Sequence, residues 1–406
     1  MGRPDAIVVG GGISGLAFAF HAAAAGRSVL VVDGAPRLGG CLDSRRLEAG
    51  FWFEMGAHTC YNSYGALLEL VEGSGIADRI VRRGEARKRF ALLRHGALDV
   101  MGPLSVLRRF DAGELVRSAP RGLFARKEGL TTYGYYSGVV GRGNYARVLG
   151  PFLAAVPSQS ADAFPAAGPG SLFKKRPRRK DVARSFTFRG GLSDVVEALA
   201  ARPGVSALTG VVAREVRRRG GGFEVALADG RALQAPLAAL AVPPSMAAAL
   251  TRRDFPELSG RLARLKMAAL ETVGVVLPRE KVRLPEVAFL VPADDLFWSA
   301  VSRDPVPDPR LRGFAFHCRI GHTREEKLAR VAEVLGCSEG DFLHVAERTT
   351  MLPSPVLGHG QMVAELDRLL AGGKLAVTGN YFEGLAIEDC VQRSFAEWRR
   401  IASATP

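Results

Sequence analysis

Cysteine is scarce in this chain of 406 residues: five occur, at positions 41, 60, 318, 337 and 390. The number is odd and no CxxC pair is present, which excludes a disulfide framework or a thiol redox motif. Free thiols in a reducing, cytoplasmic setting are the expectation. No uninterrupted apolar run reaches the ~18 residues a membrane-crossing helix needs. The first apolar stretch already carries a glycine motif, so it does not read as a secretory signal. The seven histidines are scattered, and no His or Cys pair has ligand spacing, so no metal is expected. Solenoid repeats and low-complexity tracts are lacking too. Acidic residues are in deficit, 41 against 55 basic ones, which leaves a formal charge of +14. Such a surplus suits nucleic acid, anionic lipid or an acidic small molecule. No nucleic-acid module or aromatic-interleaved basic strand is present, so nucleic acid is set aside. The charge is densest in residues 82–89 and in Lys174-Lys-Arg-Pro-Arg-Arg-Lys180.

What is present begins at once. A length of 406 residues and an apolar fraction of 47% fit two or three domains with a real core. Residues 6–9, Ala-Ile-Val-Val, are a short apolar run that predicts a buried parallel strand. Gly10-Gly11-Gly12-Ile13-Ser14-Gly15 follows directly. In this spacing Gly10 permits a tight turn, Gly12 lets backbone approach a pyrophosphate, and Gly15 lets the helix pack on the strand. A helix from about Ile13 to Ala25 would aim its free N–H groups at the phosphates, with Gly26 ending it. A second strand, Ser28 to Val32, leads into Asp33 and Gly34, and Asp33 is placed to accept ribose hydroxyls. Strand, glycines, helix, strand and acid in this order predict a dinucleotide site.

Arg37-Leu-Gly39-Gly40-Cys41 comes next and resembles the R-x-G-G extension of the amine oxidase and protoporphyrinogen oxidase superfamily of flavoproteins. The resemblance implies FAD, with Arg37 beside the pyrophosphate and the Gly39–Cys41 turn close to the cofactor. Gly56-Ala57-His58-Thr59 resembles that superfamily's loop beneath the flavin ring, which makes His58 a cofactor-lining residue. Residues 208–242 read as a strand meander: Val211-Val212, then residues 223–227, a turn at Asp229-Gly230, and 237–242. By resemblance Val212 contacts the adenine, with Ala213 as the alternative.

The far end of the chain narrows the branch. Pro353, Gly358-His359, a helix over residues 364–370, a strand over 375–378, and then Gly379-Asn380-Tyr381 and Gly384-Leu385-Ala386-Ile387-Glu-Asp-Cys390 resemble the end of protoporphyrinogen oxidases. The sequence departs from that pattern at Ser354-Pro355 and at Arg348-Thr-Thr. The N–H groups of Leu385, Ala386 and Ile387 open a final helix, to about Arg400, whose positive end suits a reduced flavin. Gly379, Asn380 and these three residues complete the expected cofactor contacts.

Between them lies a substrate region. Arg89 opens a strand-and-turn element whose counterpart in the family pairs a substrate propionate, with spacing one residue longer here. Residues 101–160 predict helices broken by Gly and Pro, a helical cap. The basic run 174–180 invites peripheral contact with anionic membrane on the inner face of the cell membrane. Strands are expected at 271–277 and 288–292. Related amine oxidases usually carry a lysine near the start of the first, where Glu271 or Thr272 stands here.

The expectation is therefore an α/β fold, with a Rossmann-like FAD-binding domain assembled from discontinuous segments 1–80, 186–270 and 345–406. An α+β substrate-binding domain with helical cap occupies 81–185 and 271–344. The implied activity is FAD-dependent oxidation of protoporphyrinogen IX in repeated hydride transfers, with dioxygen as acceptor. Coproporphyrinogen, an amine or polyene substrate, and a non-catalytic flavin-binding partner protein are the alternatives.

Overall fold

Four apolar runs with no polar alternation, Ala6–Val9, Val29–Asp33, Leu237–Leu240 and Leu375–Val377, are buried on both faces. That is how strands of a covered parallel sheet read. In the computed structural model, which describes residues 2–102 and 105–403, they form one sheet with Val205–Thr209 at its edge. Its order is Val205–Thr209, Val29–Asp33, Ala6–Val9, Leu237–Leu240, Leu375–Val377, all parallel. The first helix, Ile13–Ala24, and the final helix, Ile387–Ser403, pack together on one face, with Phe18 edge-on to Trp398 at 5.8 Å. Gly26, at φ +78°, ends the first helix as expected.

The meander differs from expectation in one strand. Val211 and Val212 precede it, and the Arg-rich segment Ala213–Arg219 is its first strand, followed by Gly222–Leu227 and Ala232–Ala235. Its charges mask the strand, in which Val216 is the buried residue.

A second, seven-stranded sheet runs His344–Pro353, Met267–Pro278, Leu311–Cys318, Phe297–Ser302, Phe289–Pro292, Phe90–Arg94, Ala97–Met101. Met267–Pro278 is its spine, paired with Leu311–Cys318 on one side and His344–Pro353 on the other. The expected boundary at 270/271 falls within the spine strand and that at 344/345 within His344–Pro353, and the two strands pair from Met267 to Val276. The helix Arg324–Leu335, with a Thr323/Glu326 capping box, covers one face of the sheet. Short helices between Ala112 and Ala155 form the cap and meet the sheet where Phe152 packs edge-on against Phe90. The helix expected at 364–370 starts earlier, at His359, because Gly358 takes a left-handed conformation and turns the chain into it.

Sequence positions 1, 103–104 and 404–406, which fall within the expected segments, lie outside the described residues. Among the described residues no helix is long and apolar enough to cross a membrane.

Candidate active site

The nucleotide crevice is built almost entirely from backbone. Gly10 takes φ +104° and donates its N–H to Val32 at 2.8 Å. A side chain there would strike the Ala241 carbonyl, and one at Gly15 would strike the carbonyl oxygen of Gly10. The first helix starts at Gly12 without any side-chain cap, so the first turn, Ile13, Ser14 and Gly15, offers its N–H groups to an anion. Gly39, at φ +115°, donates to the Gly11 carbonyl at 2.8 Å, and Gly40, at φ +54°, faces Gly12. A methyl group on Gly40 would sit 3.1 Å from Gly12 Cα. Asp33 accepts the N–H groups of Gly11 and Ala35 at 2.6 and 2.8 Å. Each carboxylate oxygen keeps a further lone pair for a hydroxyl. Gly34 lies against the Val212 side chain. Gly56 packs on the Cys41 carbonyl, which accepts the Ala57 N–H at 2.9 Å.

The chain's two ends are tied together at the same place. Ser394 of the final helix donates to the Ser14 carbonyl at 2.8 Å and meets Thr378 Oγ1 at 2.8 Å. Gly379 is buried beside Tyr381, Asn380 is half-buried, and Leu385 joins an apolar cluster of the cap with Tyr145 and Phe164. Ala386 and Ile387 pack on the core of the parallel sheet instead. A residue missed from sequence, Glu388, accepts the N–H groups of Ala66 and Leu67 at 3.0 and 3.1 Å. It thereby caps the helix Gly65–Gly73. The first helix start, the R-x-G-G turn, the Gly56 turn and the final helix are thus joined by direct contacts: Gly39 to Gly11, Gly40 to Gly12, Ala57 to Cys41 and Ser394 to Ser14. Uncapped N–H groups, paired glycines where a Cβ would intrude, and an acid at the second strand fit a dinucleotide of FAD's kind.

Arg37 does not lie free along this crevice. Its guanidinium pairs with Asp43, which is 1% exposed and also meets Arg45 at 3.1 Å and Arg348 at 3.0 Å. Three guanidinium groups on one carboxylate leave a cationic surplus at the edge of the R-x-G-G turn. Arg348 comes from the large sheet, so the surplus is also a tie between the two units.

The large sheet contributes a polar row that sequence reading missed. Directly opposed residues of antiparallel strands share a face, and Arg348, Thr272 and His317 are such neighbours. His317 Nδ1 meets Thr272 Oγ1 at 2.9 Å, and its Nε2 meets His58 Nε2 at 2.9 Å. Burial depresses both imidazoles, His317 to about 4 and His58 well below its ordinary value. Near neutral pH the pair is uncharged and shares one N–H···N bond. Cross-strand register is the missing signal: residues 58, 272 and 317 meet only once the strands pair. The same register separates the two residues expected at the lysine position. Glu271 turns to the opposite face and pairs with Lys327 at 2.7 Å, while Thr272 meets His317, which in turn meets His58. Lower on that face, Gly274 and Gly313 leave room for Phe53 and Met55, which lock the units together.

Arg89 lies exposed before the strand Phe90–Arg94 and forms no ion pair among the described residues. The basic run is partly spent internally: Lys174 and Arg176 both pair with Asp389, at 3.2 and 2.6 Å, and Arg179 pairs with Glu72 at 2.8 Å. Lys175, Arg178 and Lys180 remain exposed.

Residues 13–335 match the family described as flavin containing amine oxidoreductase. The chain is 25% identical to a coproporphyrinogen III oxidase of Propionibacterium freudenreichii subsp. freudenreichii, over 96% of this chain and 90% of that protein. Among solved structures it resembles a candidate protoporphyrinogen oxidase from Exiguobacterium sp. 255-15, with TM-score 0.81, 18% identity and 99% of both chains covered. It also resembles the cyclohexylamine oxidase of Brevibacterium oxydans IH-35A, with TM-score 0.72, 16% identity and 99% of both chains covered. With a matched family over most of its length and a crevice shaped for a dinucleotide, the chain belongs to the flavin containing amine oxidoreductase family and is an FAD-dependent oxidoreductase.

Proposed function

We propose that the chain oxidises a porphyrinogen by hydride removal, with dioxygen as the final acceptor. The observation that carries this reading is the face of the large sheet at the lysine position. It presents Thr272 bound to a neutral histidine pair, not the lysine usual in related amine oxidases. The relative named coproporphyrinogen III oxidase, alike over nearly the whole chain, supports it. Both protoporphyrinogen IX, implied by the resemblance, and coproporphyrinogen III, favoured by that relative, are acidic macrocycles suited to a basic protein.

FAD, when bound, supplies the acceptor for the hydride leaving a bridging carbon of the macrocycle. The protein's own share is placement and electrostatics. The N–H groups of Leu385, Ala386 and Ile387 and the positive end of the final helix favour negative charge beside them. The His58–His317 pair adds no positive charge there, because burial keeps both rings neutral. The cap, through Leu385 and its apolar cluster, shields this end of the crevice from water.

The test is anaerobic mixing of the FAD-loaded protein with each porphyrinogen, followed by admission of air. Bleaching of the flavin band, then its recovery with porphyrin fluorescence, is the expected result. A flavin that neither porphyrinogen bleaches, but a primary amine does, overturns the reading.

A further inference from the structure

A narrow cleft of about 30 Å³ opens beside His58, between the strand Trp52–Glu54, Thr187 and residues 301–306 and 313–315. Two arginines line it, Arg83 and Arg303. Neither has a carboxylate at ion-pair distance among the described residues. Arg303 lies on the Phe51 and Trp52 rings at 4.6 and 4.8 Å and spends one N–H on the Val306 carbonyl. Its Nε is buried without a partner, and so is the Thr187 hydroxyl. Arg83 is largely buried in the same wall, close enough to act on His58 electrostatically.

The acids nearby do not neutralise these groups. Glu54 is fully buried, and loss of hydration pushes its carboxyl up to about 8, so it is mostly protonated at neutral pH. Its oxygens are held by Ser44 and the Leu192 N–H. Asp308 attracts Arg303 from a distance, and its carboxylate accepts the N–H groups of Arg310 and Leu311. Buried cations without partners are costly, and a guanidinium fork is shaped for a planar oxyanion. A cleft with two such forks, an orphaned hydroxyl and an aromatic wall is a built anion site.

We propose that this cleft binds a carboxylate group, held by Arg83 and Arg303 with Thr187 as a further hydrogen-bond partner. At about 30 Å³ it has room for a carboxylate group, at the end of an acid side arm or of a small free acid, and none for a macrocycle as a whole. A substrate side arm as the source rests on the porphyrinogen reading, whereas the site itself does not.

The experiment uses FAD-loaded protein and non-reacting probes. Binding of coproporphyrin III and of its tetramethyl ester is followed by porphyrin fluorescence anisotropy, and binding of succinate by titration calorimetry. Arg83→Leu, Arg83→Lys, Arg303→Gln and Thr187→Val are compared with the wild type, and Arg82→Leu, at an exposed neighbouring arginine, serves as charge control. Retained flavin reports that each variant is folded. The expected result is at least tenfold weaker binding of the free-acid porphyrin to Arg83→Leu and Arg303→Gln. Arg83→Lys should lose less, and ester binding and Arg82→Leu should be unchanged. Loss of succinate binding in these variants, with porphyrin binding unchanged or absent, supports the site with a free carboxylate as occupant, even where the porphyrinogen reading fails. Equal affinities of wild type, Arg83→Leu and Arg303→Gln for both porphyrin and succinate overturn the proposal.

Discussion

The nucleotide crevice and the facing surface of the large sheet solve the same problem, a precisely shaped polar site, with opposite materials. The crevice uses backbone N–H groups and the absence of Cβ atoms, gathered mostly from a run of residues close together in sequence. The sheet face uses side chains from four separated segments, with His58, Thr272, His317 and Arg348 meeting across three strands and a loop. Backbone sites tolerate almost no substitution at their glycines and little depends on pH. Side-chain sites tolerate exchange of size and charge more readily, and they titrate. The contrast teaches that one half of this active site is fixed by sterics, and the other by burial and pairing.

Substitution at Gly15 should break the first half most severely. Gly15→Ala drives a methyl group into the Gly10 carbonyl, with the buried Val8 side chain on its other side. A cost of about 3 kcal/mol is expected, together with at least a tenfold fall in bound flavin per protein. Flavin absorbance and a thermal melt read both. Normal flavin content in this variant would falsify the steric account of the crevice.

The pH dependence sharpens the second half. His317 is depressed to about 4, so its stabilising contribution is present above its unfolded value near 6.5 and is lost as pH falls from there through 4. A loss of up to about 3 kcal/mol is expected over that window. Glu54 runs the other way: its folded value, raised to about 8, makes its contribution complete below 4.5 and lost as pH rises through 8. Urea unfolding across pH should show His317→Asn flattening the acid limb and Glu54→Gln the alkaline limb. His21, also depressed to about 4 by burial, leaves part of the acid limb in place. Acid limbs of equal slope in wild type and His317→Asn would remove the histidine pair from the argument.

The tie between the halves is smaller. Arg348→Gln removes one of three guanidinium groups on Asp43. Because the arginines are partly exposed, about 1 kcal/mol is expected, read as a shift in urea midpoint. A loss above about 3 kcal/mol would mean that the two units are held chiefly by this contact and not by Phe53 and Met55.

Arg89→Leu is the smallest change. Its side chain is exposed, so stability within about 0.5 kcal/mol of wild type and an unaltered affinity for porphyrin acids are expected. A tenfold loss of porphyrin affinity would favour Arg89 as the substrate arginine over the half-buried Arg83 and Arg303.

Legibility followed the same divide. The glycine turn, the first helix and its end at Gly26, Asp33, and the terminal helix were readable because their physics is local: φ preference, apolar runs and N–H direction act over a few residues. The Arg-rich strand Ala213–Arg219 was not readable, since its inward side holds a single buried valine among charges. The helix start at His359 escaped because the left-handed turn at Gly358 decides it, not apolar periodicity.

By itself, then, the sequence determined the parallel-sheet nucleotide unit, its FAD crevice and the meeting of the chain's two ends on it. Backbone geometry writes those features in consecutive residues. Only the tertiary structure decided which face of the spine strand Thr272 takes, that His317 would meet His58, and which half-buried arginines would lack an ion pair among the described residues. Those outcomes depend on strand register and desolvation, which no local run of residues encodes.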